Sequence, residues 1–344
     1  MYTLKIQNYD ESDVYFIPFE IIRIDEQLNK GITGNVSVNY LAFQRYATQL
    51  NTTVDSIIGT TYREWYLYKD SSLLYGGVLV DRQFSGSKSQ ATSMTLNLIG
   101  FEGLLSNRVT GEKDVFTSYD SSNIAWALIN TSQAQTYGNV GITRGLNPTT
   151  VDRDRIFRYE YIRNAIEKMS NESVYNGFDW EITAQKVFNV YYPQKGTIKN
   201  NIILDDFNII SWQDTKPLTA KLANRVFVIG EGQEDAILST MVEDATPQNT
   251  WKLQEYVLSE KAIKTIATLE DKGNKHLDKF KEPKRVVNVV INDKNPDIIS
   301  YNVGDTVQVK IKTIDFAEYL RIKSRNIDIK KGGHAIINLT FDYE

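Results

Sequence analysis

The sequence predicts a mainly β protein with an α+β insert, and three observations carry that expectation. Alternating apolar and polar residues fill the first hundred positions and the last sixty, as half-buried strands require. Helical spacing is concentrated in the middle and in one later stretch. The aromatics are weighted towards tyrosine, with 20 Tyr, 14 Phe and 5 Trp, residues that favour strands.

The elements follow in order. Val14–Ile24 is apolar and β-branched, and Pro18 marks an edge or a bulge. Asn35–Tyr40 alternates. Leu41–Ile58 is ambiguous and has room for a short helix. Arg63–Phe84 reads as two strands about a polar turn at Lys69–Ser72. Gly76–Gly100 is a long hairpin: Val78, Val80, Phe84, Met94, Leu96 and Leu98 share one parity and are expected to seal a core. Asp81, Gln83, Thr95 and Asn97 take the other.

From Glu112 to Asn200 the pattern becomes α+β. Asp120 and the following serines cap a helix through Gln133. Asn147–Arg155 reads as a polar loop. Tyr159–Ser173 is helical, and Gly177–Gly196 is two short strands about a turn. Asn224–Gly232 is a strand ending in glycines. Lys252–Phe280 is the longest helical pattern, with a break near Gly273, and Pro283 ends it. Three alternating stretches close the chain. In the last, Ala335, Ile337, Leu339 and Phe341 face one way and Asn338, Thr340 and Asp342 the other. Both long hairpins pair an incoming strand containing Asp and Arg with an outgoing strand of strict alternation.

Composition bounds the chemistry. The 344 residues suggest about two domains. A hydrophobic content of 41% and a charged content of 24% are those of a globular chain with a real core. The net charge of −4 does not ask for nucleic acid or an anionic membrane. The absence of cysteine excludes disulfides, zinc–thiolate sites and cysteine nucleophiles. No apolar run approaches the roughly 18 residues of a membrane span, and the N-terminal residues do not read as a signal peptide.

Each candidate for chemistry has a simpler explanation. His276 and His334 lie in a charged helix and at a Gly-Gly turn, without metal-ligand spacing, and are expected to be solvent-exposed. Gly230–Asp235 follows a strand as phosphate loops do, but its glycine spacing fails and its carboxylates repel phosphate. The acid pairs in Asp152–Arg155 and Leu204–Phe207 lack a supporting motif. The basic stretch Asp271–Arg285 is interleaved with acids, as a solvated helix end is. The expectation is a protein that is not an enzyme, with no catalytic, cofactor-binding or metal-binding residues and no cofactor.

Four stretches in collinear order carry a resemblance: Trp65–Phe84, Leu98–Val109, Ala223–Gly232, and the C-terminal run of helix, Pro283, "VVNVVI", "YNVGDTVQVKI" and final hairpin. The chain resembles the phage tail hub family, the baseplate hubs of contractile tails and the tail-associated hubs of long non-contractile ones. The resemblance implies two tail-tube-like β-barrel domains. The division it suggests is 1–111 for the first barrel and 112–200 for the insert. Residues 201–255 form a β connector that completes the first barrel or begins the second, and 256–344 are a helix with the second barrel. It further implies a homotrimer that imitates six-fold symmetry and lets DNA pass without sticking. The partners are tube or distal tail proteins, a tip or spike protein and the tape measure protein. The place is the virion tail, assembled in the host cytoplasm. The sequence departs from longer relatives in ending soon after the final hairpin, so no appended peptidase, lysozyme or fibre domain is expected. On that reading Asp81, Gln83, Thr95, Asn97, Asn338, Thr340 and Asp342 face the lumen or a neighbouring subunit. The alternative is a distal-tail or receptor-binding β module whose Tyr and Trp residues stack on host glycan.

Overall fold

The computed structural model describes residues 1–9, 11, 13–59, 62–87, 90–171, 177–215, 222–233, 236–261, 263–283 and 285–342. Outside this set lie Lys88 and Ser89 of the hairpin loop, Glu172 and Ser173 of the expected helix, and 216–221 of the connector. Glu234 and Asp235 of the glycine turn, Lys284 of the basic stretch and the side chain of Asp342 lie outside it too. The chain forms two compact units, residues 1–212 with 288–342 and residues 213–287.

Seven strands occupy the first hundred residues: β1 (Tyr2–Asn8), β2 (Val14–Ile17), β3 (Ile21–Gln27), β4 (Gly31–Asn39), β5 (Arg63–Lys69), β6 (Ser72–Ser87) and β7 (Gln90–Gly100). Pro18, which has no N–H to give a ladder, falls between β2 and β3. The ambiguous block becomes α1 (Tyr40–Gln49) and α2 (Val54–Ile58). Asn39 and Thr53 cap them, accepting from the N–H groups of Ala42 and Ser56.

The insert contains β8 (Asp114–Asp120), α3 (Ser121–Gln133), β9 (Thr143–Arg144), β10 (Asp152–Phe157), α4 (Ile162–Ser170), β11 (Asp179–Ile182) and β12 (Val187–Tyr191). Asp120 caps α3 through the N–H groups of Ser122 and Asn123. The expected polar loop is corrected here, because Asp152–Phe157 is a strand paired with β8. Its acidic side chains project outwards while Phe157 is buried, and a strand needs only one covered face. The core beneath these elements joins Ile124, Leu128, Ile166, Trp180 and Phe188 to Val78, Phe101 and Leu105.

Next come β13 (Ile198–Leu204) and β14 (Ile209–Thr215). The smaller unit holds β15 (Arg225–Ile229), β16 (Ser239–Glu243), α5 (Ala245–Trp251), β17 (Glu255–Ser259) and α6 (Ile266–Phe280). The single long helix expected from Lys252 is thus corrected to a strand and a helix. The aromatic and β-branched run at Glu255–Ser259 pairs in parallel with β15. The helix also runs through Gly273 without breaking. A Cβ there would sit 2.5 Å from Val242 Cγ2 and 2.9 Å from Val228 Cγ2, so glycine is what lets α6 approach its sheet. His276 is half-buried rather than exposed, stacked at 4.2 Å on Tyr256 and tilted at 4.6 Å against Phe280. Desolvation, then Lys279, holds its imidazole below the ordinary histidine range.

The last strands are β18 (Val286–Asn292), β19 (Thr306–Ile311), β20 (Phe316–Lys330) and β21 (His334–Asp342). One large sheet runs in the order β14-β18-β21-β20-β3-β4-β7-β6-β5-β1-β2, with β19 also on β20 and β13 on β19. Strands from both ends of the sequence therefore share one hydrogen-bonded sheet, whose path does not close on itself among the described residues. One of its faces is apolar: Ile22, Ile24, Val36, Met94, Leu96, Leu98, Ile327, Ile329, Ile337 and Leu339 are all buried. Each such side chain contributes about 1.5–3 kcal/mol by leaving water.

Candidate functional site

The opposite face of this sheet is polar, and its register can be read strand by strand. Residues directly opposed in antiparallel strands share a face. One row runs Asp81–Asn97–Asn35–Arg23–Asp328–Ile336, across β6, β7, β4, β3, β20 and β21. A second runs Gln83–Thr95–Ser37–Ile21–Lys330–His334. A third runs Val78–Ile99–Thr33–Asp25–Asn326–Asn338, and Thr340 opposes Ser324 one step further along. Asp81, Gln83, Thr95, Asn97, Asn338 and Thr340, read from two hairpins far apart in sequence, thus lie on one face of one sheet. Asp342 opposes Arg321 at the end of β21.

The polar face is mixed in sign and internally bonded. Asn97 Nδ2 donates to Asp81 Oδ1 at 2.7 Å. Arg23 Nε lies 3.4 Å from Asp328 Oδ1, and both side chains are about half exposed. Gln27 Nε2 donates to Asp25 Oδ2 at 2.9 Å. Amides and hydroxyls fill most remaining positions. Such a surface is wetted and carries little net charge, so it gives a passing polyanion no strong grip. Among the described residues no cluster of His, Asp or Glu is arranged to hold a metal ion.

The apolar row of the first hairpin requires correction. Met94, Leu96 and Leu98 are buried, but Val80 and Phe84 are 54% and 50% exposed. A β-bulge opens Val80: Leu79 opposes Leu98, Asp81 opposes Asn97, and Val80 is the extra residue between them. Phe84, by contrast, opposes buried Met94 on the core face and is open because β6 has no outer strand there among the described residues. The bulge exchanges the faces of β6, so Val78, on the polar side, packs into the insert's core instead. Beyond the bulge β6 pairs, among the described residues, only with β7, because its ladder with β5 ends at Val78–Glu64.

The second hairpin carries the same device. Lys323 is the extra residue between the Ile322–Phe341 and Ser324–Thr340 pairs. Aligned on their bulges, "LVDRQF" (79–84) and "IKSRNI" (322–327) place Arg82 and Arg325 at the same position. Arg82 pairs with Asp55 at the surface. Arg325 is buried, and its Nε and Nη2 both donate to Glu26 Oε2 at 3.0 and 2.8 Å. Its Nη1 donates to the carbonyls of Ile298 and Tyr301, and Tyr75 Oη donates to the same Glu26 oxygen at 2.8 Å. Desolvation pushes the Glu26 carboxyl up, but Arg325, Lys195 and these hydrogen bonds outweigh it and hold it below the usual range. Sequence reading missed this clamp. The shared arginine was its only trace.

No protein-family model matches the sequence, and a search of curated proteins finds no relative. Solved structures do match in fold. A tail protein from Neisseria meningitidis MC58 superposes with a TM-score of 0.68 at 11% identity, over 100% of this chain and 97% of that one. A 43 kDa tail protein of prophage MuSo2 from Shewanella oneidensis gives 0.69 at 10% identity, over 98% of each. The E. coli c3393 protein, a type VI secretion component described as similar to the T4 tail proteins gp27 and gp5, gives 0.53 at 9% identity, over 95% and 74%. The chain therefore has, over its whole length, the fold of phage tail proteins.

Proposed function

We propose that the chain is the hub of a phage-type tail, a non-enzymatic structural component that joins the tail tube to the tip or spike and surrounds a path for DNA. The observation that carries this reading is a repeated quartet of strands. Along the sheet β14-β18-β21-β20 is followed by β3-β4-β7-β6. Each quartet ends in a long hairpin whose incoming strand is bulged at the same place. Before the bulge each incoming strand has an outer partner of its own, β19 for β20 and β5 for β6.

After the bulge the two differ. Ser324–Lys330 of β20 pairs with β3, which joins one quartet to the next within the chain. Asp81–Ser87 of β6 has no outer strand among the described residues, and β14 ends the sheet's path at the other side. A joint of the same kind between copies sets this segment of β6 against β14 of the next copy. Head-to-tail contacts that close form a ring, and an unpaired edge favours such continuation. Three copies supply six quartets, a match for a six-fold tube. The polar face, with Asp81, Gln83, Thr95, Asn97, Asn338 and Thr340, then lines the channel. On this reading the two quartets with their flanking strands are the two tube-like domains, and DNA passes without sequence preference. The partners are tube or distal tail proteins, a tip or spike protein and the tape measure protein. The site of action is the virion tail, assembled in the host cytoplasm. The fold shared with tail proteins supports this assignment.

Mass photometry of the purified 39.4 kDa chain, alone and with neighbouring tail proteins, tests it. A particle of three copies is expected in at least one of these mixtures. A chain that stays monomeric and binds no tail component contradicts the proposal.

A further inference from the structure

Glu102 lies on the short 3-10 turn Phe101–Asn107, at the root of the insert, and is buried. Its Oε1 accepts the backbone N–H of Ile32. The carboxyl fills a slot that two glycines leave open. A Cβ on Gly31 would lie 2.0 Å from Oε1, and one on Gly100 would lie 2.3 Å from it. Beside the slot is a cavity of about 30 Å³ lined by Glu26, Asn29, Trp180, Glu181 and Lys195, among others, room for about one water molecule. The indole N–H of Trp180 has no hydrogen-bond acceptor among the described residues.

The charged groups around Glu102 give an ionised carboxylate little help. Glu26 of β3 is itself negative and held by Arg325. Lys195, after β12, donates to Glu181 of β11 at 2.6 Å. Arg163 of α4 donates to Glu167, to Ser106 and to the carbonyl of Lys30. Desolvation pushes the Glu102 carboxyl up to about 7, against the opposing pull of the Ile32 N–H and of Arg163. The joint has a mechanical reach. Asn29, in the same β3–β4 turn, donates to Asp179 at 2.7 Å and accepts the backbone N–H of Trp180 at 2.9 Å, which ties the turn to β11.

We propose that Glu102 is a proton-operated latch: neutral, it pins the β3–β4 turn to the root of the insert, and its ionisation draws water into the slot and loosens that joint.

Hydrogen exchange on the full chain tests the latch. The readout is local opening at the Ile32 amide and at 179–182, corrected for intrinsic exchange, at pH 5 and pH 8. Opening should rise about 50- to 100-fold between these two values and level off near pH 7, as linkage to a carboxyl raised from 4.5 requires. In Glu102→Gln, whose amide imitates the neutral acid, the ratio should fall near one. In Gly100→Ala, at an ordinary extended backbone and with a methyl that needs the carboxyl's space, opening should be fast at both pH values. A wild-type profile that is flat, or a Gln variant that keeps the dependence, overturns the latch. If Glu102→Gln does not fold, the wild-type profile and Gly100→Ala decide, and Gly100→Ala opening no faster than wild type at pH 5 is then the contrary result.

Discussion

The two long hairpins share a bulge, a register and an arginine, yet one is enclosed and the other is half bare. In β20 the positions after the bulge that face the core, Arg325, Ile327 and Ile329, are all buried. Their counterparts in β6 include Arg82, which is partly exposed, and Phe84, which is half exposed. Local sequence does not explain this, since both strands offer apolar or arginine side chains at the same places. The neighbour does: β3 covers the edge of β20, and nothing within the described chain covers that of β6. A strand's burial is a property of the sheet around it as much as of its own alternation. A bare strand that matches an enclosed one marks where a neighbour belongs.

The largest expected contrast lies at the arginines. Arg325→Ala leaves Glu26 buried and unpaired and should cost about 3–5 kcal/mol, because a lone buried charge keeps its desolvation penalty. Arg82→Ala breaks an exposed pair and should cost less than about 1 kcal/mol. Denaturant unfolding of both variants measures the difference, and equal costs would break the comparison.

Two apolar positions sharpen it further. Ile327→Ala opens a cavity in the core and should cost about 2–5 kcal/mol. Phe84→Ala, at the same hairpin position, should cost less than about 1 kcal/mol in the isolated chain, since surface changes have small effects. Should the ring form, Phe84→Ala would weaken assembly while leaving the melting temperature of the monomer nearly unmoved.

Acid separates the two glutamates that meet the β3–β4 turn. The folded state holds Glu26 below its ordinary value, so its contribution is present above about pH 4.5 and is lost as the pH falls through the folded value. Glu102 has the opposite sign. Its raised folded value means that stability declines as the pH rises from about 4.5 to about 7 and is constant above. Thermal melts across pH 3–8 should show Glu26→Gln losing the acid limb and Glu102→Gln losing the decline towards neutrality. The smallest effect is expected on the polar face, where Asn97→Ala should change stability by no more than about 0.5 kcal/mol, read by the same melts.

Much of this was legible in the sequence. Alternation located the long hairpins, Asp120 announced α3, and parity put Asp81, Gln83, Thr95 and Asn97 on one face. What parity cannot see is an inserted residue. Val80 and Lys323 each exchange faces midway along a strand, which is why Val78 and Phe84 lie on opposite faces although their spacing puts them on one. Long-range pairing is equally invisible. Nothing local says that Arg23 opposes both Asn35 and Asp328, or that hairpins so distant in sequence share a polar face. Glu255–Ser259 was hidden because the apolar spacing of α6 extends backwards into it. The Glu26–Arg325 clamp left only a repeated arginine, which gains meaning once the two bulges are aligned.

The measurement that bears most directly on the central claim is a cryo-electron microscopy map of the chain in its assembled state. The account predicts a ring of three copies in which Asp81–Ser87 of β6 hydrogen-bonds to β14 of the next copy, with the polar face towards the axis. An assembly in which that edge of β6 stays open, or in which the polar face points away from the axis, would contradict it.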